Sequence, residues 1–301
     1  MTTKDHLDPA RRHDFVLLFD VTDGNPNGDP DNGNAPRMDP ETGIGWVTDA
    51  ALKRKVRNFV LDAHPDEDGY GIYVREGIAL NQIHREAYEE LGIKGGKKKG
   101  QAADTPEKAQ QILCRKYFDI RTFGAVLSVG ENPAGQVRGP IQMTMAESVD
   151  PILPTELTIT RVTVTREEDL AKFQSGEGGK EREMGTKQLV PYALFRSYGF
   201  FTPSLAKRTG FDGDDLEVFW DALRRMWSLD RSASRGMTGC RGVHVFTHAD
   251  AYGSCHPDKL FRRVSISRRR AGEATRTFDD YAIDVDLENL PDGVTHTLLD
   301  W

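Results

Sequence analysis

The 301-residue sequence has no apolar run approaching the roughly 18 to 20 residues that cross a bilayer, so a membrane-spanning helix is excluded. Its opening residues, MTTKDHLDPARRHDF, lack an apolar h-region, and the expectation is a cytoplasmic chain with no membrane partner. Cysteine is scarce. Cys114, Cys240 and Cys255 are odd in number and never spaced C-x-x-C, which leaves neither a disulfide framework nor a zinc ribbon. No Ser-His-Asp, P-loop or Gly-rich dinucleotide motif is present, and no repeat of about 20 to 50 residues suggests a solenoid. Lys and Arg are missing altogether after Arg276.

What the sequence does hold is 38% hydrophobic and 29% charged residues with 29 Gly and 15 Pro, the make-up of a soluble globular chain with long loops. At about 150 residues per domain, its length allows two domains or one with large insertions. A net charge of −7 argues against a nucleic-acid protein only until its distribution is read. Basic runs stand at Lys53-Arg54-Lys55 with Arg57, at Lys94 with Lys97-Lys98-Lys99, and at Arg262-Arg263 with Arg268-Arg269-Arg270, against an acidic tail. Such segregation lets one surface bind a polyanion and another meet a basic surface of a second copy.

Phe15 to Val21 reads as a strand buried on both faces. The Asp/Asn/Gly/Pro-rich stretch that follows predicts a long loop without regular structure, of the kind that is usually functional. Thr48 or Asp49 then caps a helix with Leu52, Val56, Phe59 and Val60 on its apolar face and Lys53, Arg54 and Arg57 opposite. Residues 63–115 read as a helical insertion. Residues 117–129 and 135–147 predict two pairing strands, and Leu157 to Thr165 a strongly alternating one. About twenty polar residues lead from there into a strand at 188–201, suggesting an arm. An amphipathic helix spans 214–229, and strands are expected at 242–248, 260–267 and 281–287. The fold class is α+β: the element order is that of a split βαβ, ferredoxin-like or RRM-like sheet carrying insertions, without the usual RRM aromatic signature.

The motifs FDVTDGNPNGDPDNGNAPR, IRTFGAVLS, GQVRGPIQ and MGTKQLVPYALFRSYGFF, in this order, resemble the CRISPR-associated backbone subunits of type I Cascade, most like type I-C, over essentially the whole chain. The resemblance implies an RRM-like palm (1–62 and 116–301), a helical finger insertion (63–115) and a β-hairpin thumb at about 166–187. It also implies a non-enzymatic protein that polymerises head to tail along CRISPR RNA and presents guide bases to a target DNA strand. Implied partners are other copies, guide-end-capping and large Cascade subunits and, indirectly, a recruited helicase-nuclease. No cofactor is expected.

A protein that holds any guide sequence contacts phosphate and ribose and leaves base edges free. On that logic Asn25 and Asn27, in the loop after the first strand, offer amides beside the phosphate-binding Lys53, Arg54 and Arg57. Arg121 and Phe123, two apart on an expected strand, combine a phosphate clamp with a stacking surface. Arg138 and Gln142 share a face by even spacing. In the thumb, Met184 wedges beside a displaced base and Lys187 meets phosphate.

Three sharper chemistries compete poorly. Asp23-x-Asn25-x-Asn27-Gly28 opens like an EF-hand, but the position that needs a bidentate Glu is Asn34. Cys240, His244, His248 and Cys255 form a zinc set only on paper, because on a strand the histidines stand about four steps of 3.3 Å apart. The rival function is a metal-dependent endoribonuclease using Asp23, Asp29 or Asp31 in the acidic loop; the same residues read first as turn formers, through local backbone hydrogen bonds.

Overall fold

The apolar run after His13 becomes the centre of the sheet because both of its faces are covered. The computed structural model describes residues 4–93, 104–128 and 130–300, so the basic cluster at Lys94 and Lys97–Lys99 lies outside the described residues. In chain order the first half holds strand β1 (His13–Gly24), a hairpin of β2 (Gly28–Asp29) and β3 (Ala35–Pro36), strand β4 (Ile44–Val47), helices α1 (Asp49–Ala63), α2 (Leu80–Glu90), α3 (Thr105–Lys116) and α4 (Phe118–Phe123), and strands β5 (Gly124–Val126), β6 (Gln136–Arg138), β7 (Ile141–Met143) and β8 (Ala146–Pro151). The second half holds β9 (Thr155–Arg161), α5 (Glu167–Ser175), β10 (Glu183–Phe201), α6 (Pro203–Thr209), α7 (Gly213–Leu229), β11 (Met237–His248), α8 (Pro257–Phe261), β12 (Val264–Arg268), β13 (Tyr281–Val285) and β14 (Val294–Leu299).

The main sheet runs β14-β11-β1-β10-β8-β4, each pair antiparallel. From β1, Phe15, Leu17, Phe19 and Val21 enter the core beneath α1 and α7, where Phe19 stacks on Trp227 at 4.5 Å. The alternate residues Val16 and Leu18 enter a second core with Phe261 of α8 and Val264 of β12. A strand with apolar neighbours on both sides needs no polar alternation, which is why the run is continuous. A third core gathers Tyr73, Ile83, Tyr88, Ile112, Leu113, Ile120 and Val137 around α2 and α3.

Thr48 caps α1, its hydroxyl accepting from Ala51 N, and Asp212 caps α7 in a reciprocal box with Asp215. Elsewhere the structure departs from expectation. Residues 118–123 form a helix instead of a strand, because the buried Asp119 carboxylate takes the N–H groups of Tyr73 and Val74 and Arg121 reaches Asp215. The two segments do pair, but only over Gly124–Val126 with Gln136–Arg138. The loop after β1 contains the short hairpin β2–β3. The arm's strands are 155–161 and 183–189, and helix α5 lies between them where a plain hairpin was expected. The strand expected at 260–267 is split between α8 and β12, and β14 was not foreseen. Among the described residues no helix is long and apolar enough to cross a membrane.

Candidate nucleic-acid interface

Three features converge on one end of the sheet. At the end of β1, Gly24 pairs with Val190 of β10, and one residue earlier Leu189 pairs with Thr155 at the root of the arm. The loop after β1 is tied to the start of α1 by Asn27, whose Oδ1 accepts from Thr48 N at 2.9 Å and Thr48 Oγ1 at 3.0 Å. Loop, helix start and arm root are thereby fixed to one another.

The residues singled out from the sequence divide between those exposed there and those spent inside the protein. Asn25 is buried, its Nδ2 donating to the Asn34 carbonyl at 2.7 Å while its Oδ1 has no partner among the described residues. Asn27 anchors Thr48, the N-cap of α1, through its Oδ1, whereas the Asn25 amide donor is spent inside the protein. Lys53 pairs with Asp49 at 2.9 Å and Arg57 with buried Asp119 at 2.8 Å, and both cations lie over the Phe123 ring. Only Arg54 of that trio is substantially exposed, where it reaches Glu76. Phe123 is core. Arg121 is buried, with two guanidinium nitrogens on Asp215 at 2.8 and 2.6 Å. The expected shared strand face of Arg121 and Phe123 is corrected by α4: burying a guanidinium demands a paired carboxylate, and the helix delivers it.

Arg138 and Gln142 are likewise separated. Gly139 and Pro140 break the strand, leaving Arg138 in β6, paired with β5, and Gln142 in β7, paired with β10. Arg138 is exposed with no hydrogen bond or ion pair among the described residues, whereas Gln142 donates weakly to the Phe123 and Gly139 carbonyls. In the arm Met184 is 80% exposed and Lys187 is half-exposed, without a hydrogen bond or ion pair among the described residues. The basic run at 262–270 is largely neutralised locally: Arg263 meets Asp286, Arg268 meets Asp150 and Arg270 meets Glu273. Part of the acidic tail is therefore used within the chain.

Among the acidic-loop residues, Asp23 and Asp31 are exposed, and Asp29 caps the turn before Asn34 and pairs with Arg37 at 3.4 Å. No group of three or more His, Cys, Asp or Glu side chains able to hold a metal exists among the described residues. The paper zinc set is dispersed: His244 meets His296 at 3.2 Å, while His248 is hydrogen-bonded to buried Asp14 at 2.9 Å.

Sequence reasoning missed two polar clusters at this end. Asp20, an acid inside the apolar run of β1, is buried and takes hydrogen bonds from Tyr192 at 3.0 Å and Arg241 at 2.8 Å; burial raises its carboxyl above the usual range while Arg241 opposes the rise. Lys55, one residue inside the basic run, is buried against Asp230, and burial pulls its ammonium well below the ordinary lysine value, with Arg235 adding to the pull. The signal for Lys55 was available, since it neighbours Val56 on the apolar side of the wheel. Nothing local in the sequence announces Arg235.

A family model described as CRISPR-associated protein Cas7 matches residues 11–286. A curated relative from Haloferax volcanii, named CRISPR-associated protein Cas7, is 24% identical over 296 residues, covering 91% of this chain and 80% of its own. Among solved structures, a chain of a CRISPR RNA-guided surveillance complex in a pre-nicking state aligns with a TM-score of 0.49 and 17% identity over 78% of each chain. A chain of another CRISPR RNA-guided surveillance complex aligns at 0.44 and 18% identity, over 78% of this chain and 68% of that one.

Proposed function

This chain belongs to the CRISPR-associated protein Cas7 family, and from that premise we propose that it is the guide-holding backbone subunit of a type I surveillance complex, most like type I-C. In this reading copies assemble head to tail along CRISPR RNA, hold its backbone without reading bases, and present those bases to target DNA beside end-capping and large subunits, with cleavage left to a recruited helicase-nuclease. The sheet order β11-β1-β10-β8, with α1 following β1 and α7 following β10, supports a ferredoxin-like palm. Residues 63–115 act as the finger, sharing a core with residues 117–137.

The observation that carries the reading is the convergence of the loop after β1, the start of α1 and the arm root at one end of the sheet. A backbone-tracking groove needs cations and donors on fixed elements beside a projecting element that separates bases. Arg54, Arg138 and Lys187 supply the accessible cations and Met184 the apolar wedge. Asn25, Asn27, Lys53, Arg57, Arg121, Phe123 and Gln142 act one step back, holding loop and helix in place.

The test is to co-express the chain with a CRISPR array, size the product by light scattering, and run its nucleic acid on a denaturing gel after incubation with magnesium. A high-mass assembly holding intact RNA of discrete length is expected. A monomer free of nucleic acid overturns the reading, and RNA shortened at regular intervals replaces it with the endoribonuclease acting through Asp23, Asp29 or Asp31.

A further inference from the structure

Building on the guide-holding role of the loop after β1, we infer that Arg235 is the positioning residue that sets the shape of that loop, anchored on α1 through Asp230 and Lys55. Arg235 lies in the turn between α7 and β11, far in sequence from the loop it holds. Its Nη1 donates to two successive carbonyls, Asn25 at 3.2 Å and Pro26 at 3.0 Å. Its Nε faces Asp230 Oδ2 at 3.4 Å, and that carboxylate is also bound by the buried Lys55 ammonium. The chain of contacts runs from the core-facing side of α1 to the backbone of the loop.

The two segments also interlock through their backbones. Asn25 N donates to the Ser234 carbonyl at 2.7 Å. A Cβ at Gly24 would lie 2.0 Å from the Arg235 carbonyl oxygen, and one at Gly236, whose φ of +62° favours glycine, would lie 2.4 Å from the Asp23 carbonyl oxygen. Only glycine fits at either place. Because a trans peptide sets C=O and N–H on opposite sides, drawing the Pro26 carbonyl onto Arg235 turns the Asn27 N–H away from the guanidinium. Pro26 has no N–H, so Asn27 carries the first donor that this arrangement aims. Arg235 thus acts by orienting a donor: its Nη1 is engaged by two loop carbonyls and its Nε faces a carboxylate.

The test compares wild-type full-length chain with Arg235→Met, which keeps the aliphatic stem, and Arg235→Lys, which keeps the charge but not the fork. Affinity for single-stranded RNA oligonucleotides of two unrelated sequences is measured across salt concentrations, together with amide exchange. Arg235→Met is expected to weaken both RNAs by about tenfold, to leave the slope against salt unchanged because no phosphate contact is removed, and to speed exchange at the amides of Gly24, Asn25, Asn27 and Gly28. Arg235→Lys recovers part of the loss. Should Arg235→Met fail to fold, the isosteric Asp230→Asn gives the same signature at smaller amplitude. A salt slope reduced by about one marks Arg235 as a direct phosphate contact and overturns the positioning role. Unchanged affinity with a lowered melting point overturns it as well, by reducing Arg235 to stability alone. Wild type that binds neither RNA removes the guide-holding reading and this inference together, whereas tight wild-type binding that Arg235→Met does not alter sinks the positioning role only.

Discussion

β10 passes through two environments, and the contrast between them divides the molecule. From Val190 onward it lies in the main sheet, with Val190, Leu194, Phe195 and Phe201 buried; from Glu183 to Leu189 it pairs only with β9, and apart from Leu189 at the root neither strand there buries a residue. The body derives its order from packing on both faces of a sheet, while the arm is a two-stranded ribbon with a short helix at its tip. Such a ribbon is marginal by itself in water. Burial makes a region sensitive to any change in charge or volume, and exposure makes it tolerant in the free chain, so the stability of the free chain resides in the body and little of it in the arm.

The largest expected effect breaks the body at its buried charge pair. Asp215→Ala leaves the Arg121 guanidinium desolvated and without its carboxylate, and it also dismantles the capping box of α7. The expected cost is about 3–5 kcal/mol, read from denaturant unfolding. A loss below about 1 kcal/mol, within the range of exposed pairs, would show that water reaches Arg121 and that the body is less closed than its packing implies.

A second effect separates the regions by acid. His13 and His244 are buried, and burial lowers each ring to about 4. For His13 the Asp8 carbonyl can only accept, so Nε2 carries the proton and Nδ1 accepts from Thr247, a neutral arrangement already satisfied. Above the ordinary value of 6.5 both folded and unfolded rings are neutral and nothing is lost. Below it the unfolded chain takes up protons that the folded rings refuse until about 4, so stability falls as pH falls through that window. Between pH 7 and pH 5 the expected loss is about 2 kcal/mol per ring, and His244→Gln removes one share. The arm from 155 to 189 contains no histidine, so its exchange pattern should stay constant while the body weakens.

What was legible in the sequence was local. The β1 run, the Thr48 cap and the apolar stripe of α7 each announce themselves within a few residues of one another. The strand assigned over 118–123 failed because Asp119 and Arg121 take their structure from partners remote in sequence, Arg121 from a residue 94 positions away. The same blindness hid Arg235, whose partner carbonyls lie 210 and 209 positions away. The α5 helix was readable and went unread: Glu167, Glu168 and Asp169 fill its first turn and Gly176 closes it in a left-handed conformation. Of the candidate interface, the family motifs pointed to the loop, the helix start and the arm, but could not say which of their cations face outward, since that depends on carboxylates such as Asp119 and Asp215 arriving from elsewhere.

The smallest expected effect sharpens the comparison by making one chemical change in both regions. Met184, on the arm, is 80% exposed, and Met226, in α7, is 1% exposed. Truncating Met226 to alanine opens a cavity beneath the sheet and should cost about 2–5 kcal/mol. Truncating Met184 removes little buried area, and its unfolding free energy should stay within about 0.5 kcal/mol of wild type. Both are read by the same urea titration on the free chain. A Met184→Ala cost above about 1 kcal/mol that also varies with protein concentration would mean that the arm is already packed against a second copy before any RNA arrives. The contrast between body and arm would then hold within one chain and disappear in the assembly, where the arm would carry burial of its own.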